Sequence, residues 1–116
     1  MQRLQETGAP EFAAWLGGLD TFLLDCDGVL WRGNDAVPGA AESVAALRAA
    51  GKRVFFVTNN STKNRADYVH KLADTAGIAA APEEIISSAF AAAAYLRASG
   101  VTRKVYAIGQ SGLVDE

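Results

Sequence analysis

Two carboxylates two positions apart, Asp25 and Asp27, followed at once by Gly28, are the residues of this sequence best suited to chemistry. Carboxylates within a few ångströms repel, so such a pair either shares a cation or keeps a proton on one member. The pair therefore points to a metal ion, to proton transfer, or to both. The same Asp-x-Asp-Gly spacing also serves in turns, where Asp caps the backbone and Gly takes a positive φ, and in calcium loops. A calcium loop fits poorly. With Asp25 as its first position, the invariant glycine would fall at Leu30 and the closing glutamate at Ala36.

A second polar cluster, Thr58-Asn59-Asn60-Ser61, ends a different apolar run. Its hydroxyl and amide groups are donors suited to an anion such as phosphate. The spacing of Tyr68, Leu72 and Ala76 predicts a helix over Lys63–Ala76, closed by Gly77. The N-terminus of that helix would add unpaired N–H groups and partial positive charge at the same place. In isolation the segment also reads as an Asn-Asn turn with Ser61 or Thr62 as N-cap. Beside an acid pair, anion binding is the better account. Lys63 and Arg65 are either solvated helix charges or contacts to the anion.

For the two clusters to meet, distant segments must converge. Phe22-Leu23-Leu24 reads as a buried central strand, about Thr21 to Asp25, that delivers the acids at its C-terminal end. Gly33, Asn34, Pro38 and Gly39 punctuate a loop over Gly28–Gly39, tied down by Leu30 and Trp31. Trp31 is read as a packing anchor rather than a substrate wall. Ala40, Val44 and Leu47 predict a helix over Ala40–Ala50 with Gly51 as its stop, and Lys52 to Val57 is a second apolar strand. Strand, helix, strand makes a right-handed unit with parallel strands, whose C-terminal ends lie on one side of the sheet. Ligands of open α/β sheets bind at that side.

The remaining segments complete the layers. A helix over Pro10–Leu16, with Phe12, Trp15 and Leu16 on one face, would cover the sheet edge. A strand over Glu84–Ser87 precedes a helix over Ser88–Ala98, apolar on nearly all sides and so expected between layers. Lys104–Ile108 reads as a further strand and Gly109–Gly112 as a turn, with Ser111 placed to cap a new helix. The fold class is α/β, a Rossmann-like parallel sheet with flanking helices.

Half of the 116 residues are hydrophobic (50%), enough for one domain with a core and too few for two. Eleven basic against thirteen acidic residues, without runs of like charge, argue against nucleic acid or a membrane surface as partner. No stretch is long and apolar enough to span a bilayer, and the N-terminus lacks the layout of a secretory signal. The single cysteine, Cys26, excludes an intrachain disulfide and suits a reducing compartment, so the cytoplasm is expected, with an organelle left open. Between two acids at a strand end, Cys26 reads as buried packing rather than a reactive thiol. His70, between Asp67 and Asp74 on the predicted helix, has no second histidine or cysteine beside it to build a metal site and is assigned a surface or structural role.

Taken in order, DCDGVLW (25–31), PGA (38–40), FVTNNSTK (56–63), SSAFAAAAYLR (87–97) and VYAIG (105–109) resemble the N-terminal portion of the haloacid dehalogenase-like phosphatases. The group they are most similar to holds phosphoglycolate phosphatase, 4-nitrophenylphosphatase and pyridoxal phosphate phosphatase, and the resemblance runs from about Leu19 to the end. It implies Asp25 as the nucleophile that takes up the phosphoryl group and Asp27 as the general acid and base. It places Mg²⁺ on the Asp25 carboxylate and the Asp27 backbone carbonyl. Thr58 and the backbone at Gly28 and Asn59, with Asn60 beside them, would hold the phosphate. The chemistry agrees, because a carboxylate attacks a phosphate dianion only where metal and donors neutralise its charge.

The substrate so implied is a small phosphorylated metabolite, 2-phosphoglycolate first, with an aryl or pyridoxal phosphate as rivals and a homodimer as the family's assembly. In the family, a downstream lysine and a further acidic motif complete the site, and a cap domain begins near Lys104–Ile108. Their absence implies an incomplete core over 1–103 and the start of a truncated cap domain over 104–116. Weak Mg²⁺ affinity, an exposed sheet edge and little turnover by residues 1–116 alone would follow.

Two other classes compete. A signalling receiver domain also gathers acids and a threonine at strand ends, but needs a lone phospho-accepting Asp on a different strand and a downstream Lys, and neither is visible. A non-catalytic module, a fragment that binds phosphate or a partner, is the other.

Overall fold

The computed structural model describes residues 9–116. Residues 1–8, counted above in the 1–103 unit and in reading the N-terminus as free of a signal, lie outside the described residues. In chain order the elements are α1 (Ala9–Gly17), β1 (Thr21–Asp25), β2 (Trp31–Arg32), β3 (Asp35–Ala36), α2 (Ala40–Ala49) and β4 (Arg53–Thr58). Then come α3 (Arg65–Ala76), a 3-10 turn at Pro82–Glu84, β5 (Ile85–Ser87), α4 (Ser88–Ala98) and α5 (Ser111–Val114). Among the described residues no helix is long and apolar enough to cross a membrane.

The apolar runs around Phe22 and Phe56 pair as parallel strands, and β5 joins them in the order β1-β4-β5. Both crossovers advance in the same direction across the sheet, so right-handedness puts α2 and α3 on one face. Phe22 and Leu24 of β1, Val54 and Phe56 of β4 and Ile85 of β5 meet Val44 of α2 and Tyr68, Leu72 and Ala76 of α3 there. Burying a side chain such as Phe56, which is 0% exposed, contributes about 1.5–3 kcal/mol. Arg48 of α2 ties the start of β5 to this layer through Glu84 (2.9 Å). α1 stands beside the edge strand, where Phe12, Trp15 and Leu16 line one apolar cleft with Phe22 and Leu47.

Several expectations change. Among the described residues the central strand is β4, not β1; β1 is an edge, and its Leu23 is 65% exposed. The second strand runs one residue later than Lys52–Val57, which makes Thr58 a strand residue. The loop over Gly28–Gly39 contains the antiparallel hairpin β2–β3, turned by Gly33-Asn34 with Gly33 at φ +63°. Such two-residue turns need this left-handed conformation to match the strand twist. The helix after the polar cluster begins at Arg65 rather than Lys63, and its N-cap is Asn64, not Ser61 or Thr62. The Asn64 side chain accepts the Asp67 N–H at 2.9 Å, the bond an N-cap exists to make.

α4 is not sandwiched between layers. Its buried residue is Ala89, while Tyr95 is 71% exposed. Lys104–Ile108 forms no strand, because no described strand lies alongside to take its backbone hydrogen bonds. The expected turn over Gly109–Gly112 runs into α5, whose N-cap is Gln110 rather than Ser111. Gly112 is buried against the Lys63 backbone, which leaves no room for a Cβ and fixes α5 beside the start of α3.

Candidate active site

β1 ends in Asp25, and the chain then turns back on itself instead of extending. The N–H groups of Val29 and Leu30 donate to the Cys26 carbonyl (3.3 and 2.9 Å), and the Gly28 N–H donates to the Trp31 carbonyl (2.7 Å). Gly28 sits at φ +85°, a conformation that costs a residue with a Cβ about 1–2 kcal/mol. Cys26, Leu30 and Trp31 are buried and anchor the turn, which leaves Asp25, Asp27 and Gly28 exposed on the other side.

Each acid is held by one oxygen. Asp25 Oδ1 accepts the Cys26 N–H at 2.8 Å, and Asp27 Oδ1 accepts the indole Nε1–H of Trp31 at 2.8 Å. Lys71 of α3 reaches to 3.9 Å from the same Asp27 oxygen, and its Nζ lies 4.4 Å from the centre of the Trp31 ring. Among the described residues no hydrogen bond is made to Oδ2 of either acid. Burial pushes the Cys26 thiol up to about 12, with the charges of Asp25 and Asp27 adding to the rise and Lys71 opposing it. The thiol is inert packing, as its position suggested.

Asp25 stands opposite Val57 in the parallel register, so Thr58, one residue further, lies at the same end of the sheet. Thr58 is buried; its Oγ1 accepts the Asn60 N–H at 3.2 Å and lies 3.5 Å from the Tyr68 hydroxyl. Burial is the main cause raising the Tyr68 phenol, and the bond to Thr58 opposes it. Asn60 Oδ1 accepts the Thr62 N–H at 2.8 Å, a side-chain turn that shapes the loop. Asn59 is exposed, and its carbonyl accepts the Ser88 hydroxyl at 2.8 Å.

The fold thus brings Asp25, Asp27, Gly28, Thr58, Asn59 and Asn60 to one end of the sheet. Two details of the expected donor set change. The Gly28 N–H is spent on Trp31, so its part is conformational. The first N–H of α3 is spent as well, since Arg65 N and Nε both donate to the Glu116 carboxylate (2.8 and 3.0 Å). Arg65 also lies 4.0 Å from the centre of the Phe90 ring, so it serves this internal ion pair, while Lys63 is exposed. His70 is exposed, as assigned.

Sequence reasoning missed Lys71, the Trp31 donor and Ser88. Lys71 borders the buried Tyr68–Leu72 stripe of α3, a signal in itself, but only the tertiary fold says which loop that stripe faces.

The donor set decides which metal suits the site. Two exposed carboxylates and the Asp27 backbone carbonyl, to which no hydrogen bond is made among the described residues, are hard oxygen donors. Among the described residues no three or more His, Cys, Asp or Glu side chains gather into a metal cage. One or two carboxylates completed by substrate phosphate and water is the usual way Mg²⁺ is bound, so the residues fit that ion. They suit zinc less well, since that ion takes mostly nitrogen and sulfur ligands and Cys26 is buried.

Comparison with known proteins places the chain among relatives. Residues 22–116 match the family model described as haloacid dehalogenase-like hydrolase. The chain is 47% identical over 103 residues to the chloroplastic phosphoglycolate phosphatase 1A of Arabidopsis thaliana, covering 87% of this chain and 28% of that protein. It is 41% identical over 109 residues to the 4-nitrophenylphosphatase of Schizosaccharomyces pombe, covering 91% of this chain and 36% of the relative. Its fold matches the glycerol phosphate phosphatase of Mycobacterium tuberculosis in complex with magnesium, with a TM-score of 0.74 and 28% identity over 86% of this chain and 30% of that one. The chain spans about a third of the length of the curated relatives it matches.

Proposed function

The chain belongs to the haloacid dehalogenase-like hydrolases, and on that footing we propose that its sheet-end carboxylates hydrolyse small phosphate monoesters, 2-phosphoglycolate first, through an aspartyl phosphate on Asp25. The observation that carries this reading is the parallel register of β1 and β4, which puts Asp25 and Thr58 at neighbouring strand ends with the Asp27 turn alongside. Asp25 Oδ2 attacks phosphorus as the ester P–O bond breaks, and Asp27 gives its proton to the leaving oxygen. Water then attacks the same phosphorus, Asp27 takes up the proton, and the bond to Asp25 breaks to release inorganic phosphate. Thr58 Oγ1 accepts from Asn60, and its one hydrogen faces either the Tyr68 hydroxyl or, with substrate bound, a phosphoryl oxygen, with the exposed Asn59 beside it. The Asp25 carboxylate and the Asp27 backbone carbonyl would hold Mg²⁺, which, when bound, neutralises charge on the phosphoryl oxygens.

The expected result is slow, Mg²⁺-dependent phosphate release from 2-phosphoglycolate and 4-nitrophenyl phosphate. Asp25→Asn takes it to background, and Asp27→Asn lowers it by about 10²–10⁴-fold. Turnover untouched by Asp25→Asn would overturn the reading. A second reading, a phosphate-binding module without turnover, has one observation behind it: no third metal-ligating side chain joins the acids among the described residues. Phosphate binding without turnover in the same assay would favour it. A reducing compartment suits the lone, buried Cys26; that is met by the cytoplasm and equally by an organelle such as the one in the chloroplastic relative's name.

A further inference from the structure

Asp27 is the acid whose orientation matters most for proton transfer, yet half of its side chain is open to solvent (51% exposed). A free carboxylate at such a place turns among rotamers, whereas proton transfer needs an oxygen within hydrogen-bond reach of the reacting atom. We infer that Trp31 and Lys71 are positioning residues that hold Asp27 in one orientation, Oδ1 committed to the protein and Oδ2 left for proton transfer. The inference rests on the phosphatase reading above and adds to it two residues with no part in the chemistry.

Trp31 is a fixed point. Its ring is wholly buried, its backbone is paired to Ala36 in the β2–β3 hairpin, and its carbonyl holds the Gly28 N–H. An indole N–H can only donate, so Asp27 Oδ1, 2.8 Å away, can meet it only as an acceptor. A proton on Asp27 therefore belongs on Oδ2. Lys71 secures the arrangement from the helix side. Its ammonium lies over the face of the same indole at 4.4 Å and 3.9 Å from Oδ1, so one cation touches both the support and the supported group. In the reaction, the proton on Oδ2 passes to the leaving oxygen as the ester bond breaks. A proton from the attacking water returns to Oδ2 as the Asp25–phosphorus bond breaks.

Leaving groups distinguish positioning from mere stability. 4-Nitrophenolate departs without a proton, whereas the alkoxide of 2-phosphoglycolate needs one. Because kcat/KM reports only steps up to loss of the leaving group, Trp31→Phe and Lys71→Met should lower it for 2-phosphoglycolate about 10- to 100-fold more than for 4-nitrophenyl phosphate. Lys71→Arg should restore most of the loss. Equal losses on both substrates would overturn the inference, since a loosened fold spares neither. An indole NMR readout is independent of turnover. The chain has two tryptophans, so Trp15→Phe assigns the Trp31 indole N–H resonance. That resonance should move on Asp27→Ala and on Lys71→Met. If Asp27→Ala leaves it in place, the positioning role fails whatever the assay shows. If it moves but there is no turnover, or turnover survives Asp25→Asn, the phosphatase reading fails and takes the positioning role with it.

Discussion

β4 and the stretch Lys104–Ile108 are built from the same kinds of residue, a basic start followed by valine and aromatic side chains. Their surroundings are opposite: Val54, Phe56 and Thr58 are at most 3% exposed, while Tyr106 and Ile108 are 90% and 84% exposed. β4 has β1 on one side, β5 on the other and α2 packed against it. Lys104–Ile108 has no strand alongside among the described residues. A strand is therefore a property of its neighbours as much as of its own residues, because each backbone N–H and C=O needs a partner. The contrast explains where the candidate site lies. Its residues hang from strand ends that ladders and a buried turn hold in place, and none comes from the unsupported stretch.

The largest effect should come from the supported side. Phe56→Ala removes a side chain at the centre of the sheet and should cost about 3–5 kcal/mol in urea unfolding. A loss below about 1 kcal/mol would mean that β4 is no better packed than Lys104–Ile108.

The next effect is a pH dependence that begins in the buried turn. The Cys26 thiol goes from an ordinary 9.0 to about 12 in the fold, chiefly through burial. Below pH 9 both states keep the proton, and the contribution is whole. As pH rises from 9 towards 12 the unfolded chain loses the proton first, so stability falls through that window. Tyr68, also raised, acts in the same direction at a higher starting point. Unfolding midpoints at pH 8 and pH 10.5 should therefore differ less in Cys26→Ala than in the parent chain. An equal difference in both would remove Cys26 from the account.

Smaller again is Gly28→Ala. At φ +85° the substitution meets no steric neighbour, so its cost of about 1–2 kcal/mol is backbone strain alone. Gly17→Ala, at a glycine with no unusual φ and nothing within 4 Å, is the control and should be near neutral. Equal outcomes at the two positions would mean that the turn after β1 does not depend on a left-handed residue.

What the sequence made legible follows the same division. The apolar runs at Phe22–Leu24 and Val54–Val57, with a helical pattern between them, force a parallel pair, and with it the meeting of Asp25, Asp27 and Thr58. The hairpin at Trp31–Ala36 was hidden because each of its strands has two residues, too few to show a period. The start of α3 was misplaced because Ser61, Thr62 and Asn64 all have capping side chains, and the choice of Asn64 comes with the docking of Gly112 and Glu116 from far along the chain. Lys71 was unreadable for a related reason: a lysine on an amphipathic helix looks solvated until the partner of its face is known. The KVYAI segment has the residues of a strand without its structure, since a pattern cannot supply the neighbouring strand it needs.

The smallest prediction tests that last point directly. Tyr106→Ser and Ile108→Ser remove large apolar groups that are almost fully exposed, so the folded and unfolded chains lose nearly the same contact with water. Each should change unfolding free energy by no more than about 0.5 kcal/mol, as surface substitutions generally do. The same exchange in β4 would bury an unpartnered hydroxyl and open a cavity, so its cost should be several-fold larger. A loss above about 1.5 kcal/mol at Tyr106 or Ile108 would show that this stretch packs against something in solution, and the contrast with β4 would then be one of partner rather than of support. Raising the protein concentration during unfolding separates the two cases, because a stretch covered by a second copy gains stability with concentration, and an uncovered one does not.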